Sequence, residues 1–383
     1  MNSSRLGTVA VGMALALSLA ACGGEGAGGG AGSSSGGGSD EDLAIGVSMP
    51  TQTSERWIAD GKAVKEGLEK EGFQVELQYA NDDIPTQSQQ IDQMITQGVD
   101  ALVIAAVDGT ALSSQLQAAA DADIPVISYD RLIRDSPNVD FYVSFDNEEV
   151  GRQQATSLLT GLGVLKQDGT EGGEKGPFNV ELFAGSLDDN NAHFFWSGAM
   201  EVLEPKIADG TLVVKSGQTK IEQAATLRWQ QETAQKRMED LLTSAYKGNE
   251  VVNGVLSPYD GLSRGIITAL QNAGYGGGSK PLPVVTGQDA EIASVKLIKD
   301  GVQYSTIFKD TRLLAEQAIV STQAFLEGEE PEANDTETYD NGVKVVPSYL
   351  LDMEIVTADN IESSLVETGY WTAEEVESGQ AAG

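Results

Sequence analysis

Eight polar clusters, each set directly after a short apolar run, carry the residue types with which this chain could do chemistry. They are Thr51 to Trp57, Asp108, Asp130-Arg131, Asp146-Asn147, Ser186 to His193, Tyr259-Asp260, Gln288-Asp289 and Lys309-Asp310. Together they offer carboxylates, amides, arginine, lysine and a tryptophan. One such cluster is commonplace, because Asp, Asn or Ser caps the helix that follows. Eight in series point instead to one ligand site assembled from many segments. The mixture suits a neutral polyol. Charged groups make paired hydrogen bonds to hydroxyls, and an aromatic face covers the C–H surface of a sugar.

Other chemistries find little support. His193 is the only histidine, which removes most His-based catalysis and His-cluster metal sites. Cys22 is the only cysteine, so no internal disulfide forms. No P-loop, GxSxG, HExxH or EF-hand pattern is present. Asp188-Asp189 has the residue types of a glycosidase pair, but neighbours on one segment rarely flank a bond from opposite sides. Asp40-Glu41-Asp42 reads as a solvated charge run, and the sequon Asn334-Asp335-Thr336 as a chance match. No catalytic residue, metal or cofactor is expected. With 24 basic against 58 acidic residues the net charge is −34. That argues against nucleic acid or an anionic membrane face as partner.

The elements that must position these clusters follow from hydrophobic patterning. Leu43–Met49, Gln74–Tyr79, Ala101–Ala106 and Pro125–Tyr129 read as strands. Arg56–Glu71, Thr86–Thr96 and Leu112–Ala122 read as the helices between them. The continuous apolar run Ala101–Ala106 is what a strand with both faces covered requires. This βαβαβαβ order is the signature of a doubly wound parallel sheet. The pattern then restarts. Strands are expected at 142–145, 179–184, 211–215, 254–256, 284–286 and 304–308. Helices are expected at 149–162, 194–203, 223–245, 261–273, 290–300 and 311–326. In such sheets ligands sit outside the carboxyl ends of strands, where the eight clusters lie.

The N-terminus carries an address. Arg5, the apolar run Val9–Leu17 and Leu19-Ala20-Ala21-Cys22 form a secretory signal whose apolar stretch is too short to span a bilayer. Leu-Ala-Ala-Cys resembles a bacterial lipobox, in which the cysteine is acylated and becomes the mature N-terminus. Residues 23–42 hold ten Gly and four Ser, with almost nothing to bury, and read as a tether. The expected division is a signal peptide at 1–21, the lipidated Cys22 and tether at 22–42, and a folded body from 43. The protein is expected outside the cytoplasm, anchored to the cell membrane.

Ser54-Glu55-Arg56-Trp57, Tyr129-Asp130-Arg131, Phe145-Asp146-Asn147, Asp189-Asn190-Asn191-Ala192, Gly287-Gln288-Asp289-Ala290 and Phe308-Lys309 resemble, as an ordered set, the periplasmic sugar-binding proteins of ABC importers. The likeness runs from about 44 to 370 and is nearest to xylose-binding proteins and the related multiple-sugar receptors. It implies an α/β fold of two doubly wound parallel-sheet lobes joined by a three-stranded hinge. Lobe one would hold 43–143 and 310–328. Lobe two would hold 144–309 and 329–372, with 373–383 a flexible tail. It further implies that Trp57 stacks on an aldose of xylose, arabinose, glucose or galactose type. Arg56, Asp130, Arg131, Asn147, Asp189, Asn191, Asp289 and Lys309 would bind its hydroxyls. Glu55, His193, Tyr259 and Asp260 are weaker candidates. Relatives usually carry Asn-Asp where Tyr259-Asp260 stands here. The second stacking Trp expected near Gln218 has no counterpart there. Trp229, on the expected helix 223–245, is assigned to packing, which implies a wider, less selective pocket. The implied partners are a monosaccharide and an ABC permease, with the chain a monomer. The alternative is a sensory subunit that presents the sugar-bound form to a receptor kinase or chemoreceptor.

Overall fold

The fully buried run Ala-Leu-Val-Ile at 101–104 forms the middle of a six-stranded sheet, and its neighbours explain why it can be apolar on both faces. The computed structural model describes residues 43–278 and 280–382. The leader, Cys22 and the Gly/Ser tether lie outside the described residues. No helix among the described residues is long and apolar enough to cross a membrane.

The first half runs β1 (Ala44–Met49), α1 (Glu55–Lys70), β2 (Gln74–Tyr79), α2 (Ile84–Gln97), β3 (Ala101–Ile104), α3 (Ser113–Asp121), β4 (Val126–Tyr129) and β5 (Phe141–Phe145). The second runs α4 (Asn147–Gly161), β6 (Phe178–Leu182), α5 (Asn190–Ala208), β7 (Leu212–Val214), α6 (Ile221–Ala224), α7 (Gln231–Ser244), β8 (Gly254–Leu256), α8 (Asp260–Asn272), β9 (Val284–Val285) and α9 (Ile292–Lys299). The chain finishes with β10 (Ser305–Phe308), α10 (Thr311–Glu327), β11 (Ser348–Leu351), β12 (Glu354–Thr357) and α11 (Ala373–Ser378).

All pairings in the larger sheet, ordered β11-β5-β4-β3-β1-β2, are parallel, as are those of a second sheet ordered β7-β6-β8-β9. Helices on both faces bury each sheet, as parallel strands demand. On one face of the larger sheet Val64 and Leu68 of α1 and Leu314 and Ala318 of α10 pack against Ile45, Val47 and Val103. On the other, Ile91, Met94 and Leu116 pack against Leu102 and Ile104.

Three connections pass between the two lobes. The first runs from β5 into α4, which packs on α5. The second runs from β10 through Lys309-Asp310 into α10, which packs on α1. The third runs from β11 through Asp352-Met353 to β12, antiparallel to β10. Local chemistry sets where the helices start. Asp146 and Asp310 accept from the backbone of Glu149 and Arg312 and cap α4 and α10.

Three expectations change. Residues 329–351 belong with the first lobe: β11 extends the larger sheet beside β5, and Tyr339 and Val346 are buried in its core. The return to the second lobe therefore falls at 351–354, not at 328. The expected tail is helical at 373–378, started by a reciprocal Thr372–Glu375 capping box and held by burial of Val376. The expected helix 223–245 is broken into α6, a short turn at Leu227–Trp229, and α7.

Candidate functional site

Two bent aspartates frame the site. Asp130 follows β4 with φ of 59°, and Asp289 follows β9 with φ of 89°. Non-glycine residues held at positive φ are strained and persist only when the surroundings over-determine them. Asp130 meets that condition. Its carbonyl accepts from Tyr142 Oη (2.6 Å), Asn191 Nδ2 (2.9 Å) and Ser144 Oγ (3.0 Å). Asp289 N donates to Ile307 O at 2.8 Å, which ties it to β10. Both carboxylates thereby face the gap between the lobes.

Arg56 and Trp57, in the first turn of α1, enter from the first lobe. The Arg56 guanidinium bonds Asp60 Oδ2 through Nε at 3.0 Å, pairs with Asp130, and lies 3.6 Å from Asp289 Oδ1. Lys309, at the second connection, sits 3.0 Å from Asp289 Oδ1 and 4.0 Å from Asp130 Oδ2. Arg131 Nε reaches Asp189 Oδ2 at 3.0 Å across the cleft. The result is an alternating ring of charges, nearly all buried. Burial alone would lower the Arg56 pKa, but Asp130, Asp60 and Asp289 hold it well above its ordinary value. Burial would raise Asp130, yet Arg56 and Lys309 keep its carboxyl below the usual range. Asp60 behaves oppositely: burial, only partly offset by Arg56, pushes it up to about 7. Burial also raises Asp189, against the pull of Arg131.

These groups line a cavity of about 550 Å³ between the lobes, within the range of small-molecule pockets. Asp289 Oδ1 and Arg131 Nε are buried, and their ion pairs with Lys309 and Asp189 at 3.0 Å are not aligned as hydrogen bonds, so each can turn to a ligand. Of the expected residues, Arg56, Trp57, Asp130, Arg131, Asp189, Asn191, Asp289, Lys309 and Tyr259 line the cavity. Four stand elsewhere. Asn147 lies behind the wall, where its Nδ2 donates to Tyr142, Ser144 and Asn191. Asp260 is fully buried beneath the site and accepts from Glu291 N, Gln303 Nε2 and Thr306 Oγ1. Glu55 is exposed, and His193 is bonded through Nε2 to the Leu187 carbonyl.

Trp229 corrects the expectation of a missing aromatic wall. It lines the cavity, and its Nε1 donates to Asp189 Oδ2 at 3.2 Å. The turn that delivers it holds Arg228 and Trp229 at φ of 53° and 56°, a geometry no helical pattern reveals. It is tied down by Thr226 N to Gly185 O (3.2 Å) and Arg228 N to Ser186 Oγ (2.8 Å). The ring lies over Gly185, where a Cβ would come within 2.0 Å of it. Phe195 and Tyr259 meet its ring edge-on at 6.3 and 6.2 Å. Arg228 and Arg264 also line the cavity, although both sit inside stretches that read as ordinary amphipathic helix.

Residues 45–330 match the family model described as "Periplasmic binding protein domain". The chain is 55% identical over 332 residues to the "Multiple sugar-binding periplasmic receptor ChvE" of Rhizobium radiobacter, covering 87% of this chain and 92% of that protein. It is 52% identical over 328 residues to the "Multiple sugar-binding periplasmic protein SbpA" of Azospirillum brasilense, covering 86% and 89%. Among solved structures, an ABC transporter solute-binding protein from Clostridium phytofermentans with bound β-D-glucose superposes with a TM-score of 0.81 at 41% identity, covering 87% of this chain and 99% of that one. A charged cleft between two parallel-sheet lobes and this extent of likeness place the chain in the periplasmic binding protein family, with the type I fold.

Proposed function

We propose that this protein is the extracytoplasmic sugar-binding component of an ABC importer, and that it takes aldose monosaccharides in the interlobe cavity. The observation that carries the reading is the buried ring of Arg56, Asp130, Asp289 and Lys309 in a cavity that Trp57 and Trp229 also line. Such a ring presents donors and acceptors to adjacent hydroxyls while two aromatic faces cover apolar C–H surface. The protein performs no chemistry on the sugar; its relatives are binding proteins. Breadth across pentoses and hexoses rests on the cavity's size and on relatives described as multiple-sugar binders, not on an absent tryptophan. Cys22 carries the lipid that keeps the monomer at the membrane. A permease reads the sugar-bound form; capture of a receptor kinase or chemoreceptor instead would reassign that partner.

Calorimetric titration with xylose, arabinose, glucose and galactose tests the reading. Each is expected to bind, and at 100-fold excess over Kd to stabilise the fold by ~2.7 kcal/mol. Response to one sugar alone would overturn the breadth, and response to none would overturn the function.

A further inference from the structure

The lobes also touch each other directly, through Arg228 in the wall of the same cavity. Arg228, on the second lobe, donates through Nη1 to the Val107 carbonyl of the first lobe at 3.0 Å. The same nitrogen lies 2.6 Å from Asp188 Oδ2 on its own lobe, which steers the guanidinium toward the first. Beside it, Gly109 N of the first lobe donates to Asp188 O at 3.0 Å. Asp82, also of the first lobe, lines the same cavity as Arg228. One cation thus meets a backbone carbonyl of the first lobe across the cleft while a carboxylate of its own lobe holds it. Its backbone is held at positive φ by the turn that also delivers Trp229.

We propose that Arg228, steered by Asp188, is a clasp between the lobes that sets the lifetime of the closed form by the same factor for every sugar. A bond between two parts of the protein is unchanged by what lies inside. A contact to the ligand, in contrast, depends on which hydroxyl faces it. The clasp raises the fraction of molecules competent to hold ligand, and apparent affinity scales with that fraction. The proposal rests on the sugar-binding reading above.

Stopped-flow release of xylose, arabinose, glucose and galactose from wild type, Arg228→Ala, Asp188→Ala and the double variant tests it. Arg228→Ala is expected to speed release about tenfold for every sugar, and Asp188→Ala by less. The double variant should release no faster than Arg228→Ala, because both changes act through one guanidinium. Small-angle scattering of the ligand-free proteins should give Arg228→Ala the larger radius of gyration. Unchanged release overturns the clasp, as does a factor that differs between sugars, which would make Arg228 a ligand contact. If wild type binds none of the four sugars, the functional reading falls, and identical ligand-free scattering of wild type and Arg228→Ala then overturns the clasp as well.

Discussion

Arg56 is the residue on which the site's electrostatics turn, because it joins Asp60, Asp130 and Asp289. Asp289 has unused acceptor capacity beside Lys309. A hydrogen bond to a charged group contributes ~1.5–3 kcal/mol. Asp289→Ala is therefore expected to weaken sugar binding by at least about tenfold in a calorimetric titration. Normal affinity in that variant would remove Asp289 from the site. Asp188→Ala is expected to weaken sugar binding as well, by less, because Asp188 holds Arg228. Asp60 gives a pH signature. Its carboxyl has an ordinary value of 3.8 but is raised by burial to about 7 in the fold. The folded form binds the extra proton between these values. The stability this group contributes is thus fully present below about pH 3.8 and lost as pH rises through about 7. Urea midpoints of the ligand-free protein should rise from pH 8 to pH 5, and rise less in Asp60→Asn. Parallel profiles would show that Asp60 does not titrate there.

At the scale of elements, the turn between α6 and α7 decides the shape of the cleft. It replaces a helix so that Trp229 can lie over Gly185. Gly185→Ala puts a Cβ within 2.0 Å of the indole, a distance no real contact sustains, so the turn must shift. Sugar affinity is expected to fall about tenfold or more, with a changed tryptophan emission spectrum in the ligand-free protein. Wild-type affinity and emission together would show that Trp229 is not a wall of the site. The inner bend of Asp289 is secured differently, by its backbone bond to β10, so a change at Gly185 should leave it in place.

At the scale of the molecule, three connections between the lobes allow hinge closure, and each carries a charged residue, Asp146, Lys309-Asp310 and Asp352. Lys309 lies in the second connection and touches Asp289, so a ligand bonded to Asp289 would act beside the hinge. Addition of a bound sugar is expected to reduce the radius of gyration in small-angle scattering, and an unchanged profile would exclude closure. The proposed lipid on Cys22 has its own test. Cys22→Ser is expected to abolish labelling by a radioactive fatty acid while leaving sugar affinity intact. Persistent labelling would place the lipid elsewhere.

The sequence by itself determined the parallel sheets, since runs such as Ala101–Ile104 are apolar on both faces and the helices between them are amphipathic. It also located most of the ring, because residues that follow the strands of a doubly wound sheet stand at the ligand-facing edge whatever the details of packing. Arg56, Asp130, Asp289 and Lys309 were legible for that reason. Tertiary structure alone decided the rest. Trp229 and Arg228 occupy a turn stabilised by bonds to Gly185 and Ser186, far away in sequence, so no local pattern marks them. Asn147 and Asp260 have the same residue types as true cavity residues, and only packing turns them behind or beneath the wall. Strand β11 was equally illegible. Ser348–Leu351 is short, and it becomes a strand because β5 offers a free edge for parallel pairing.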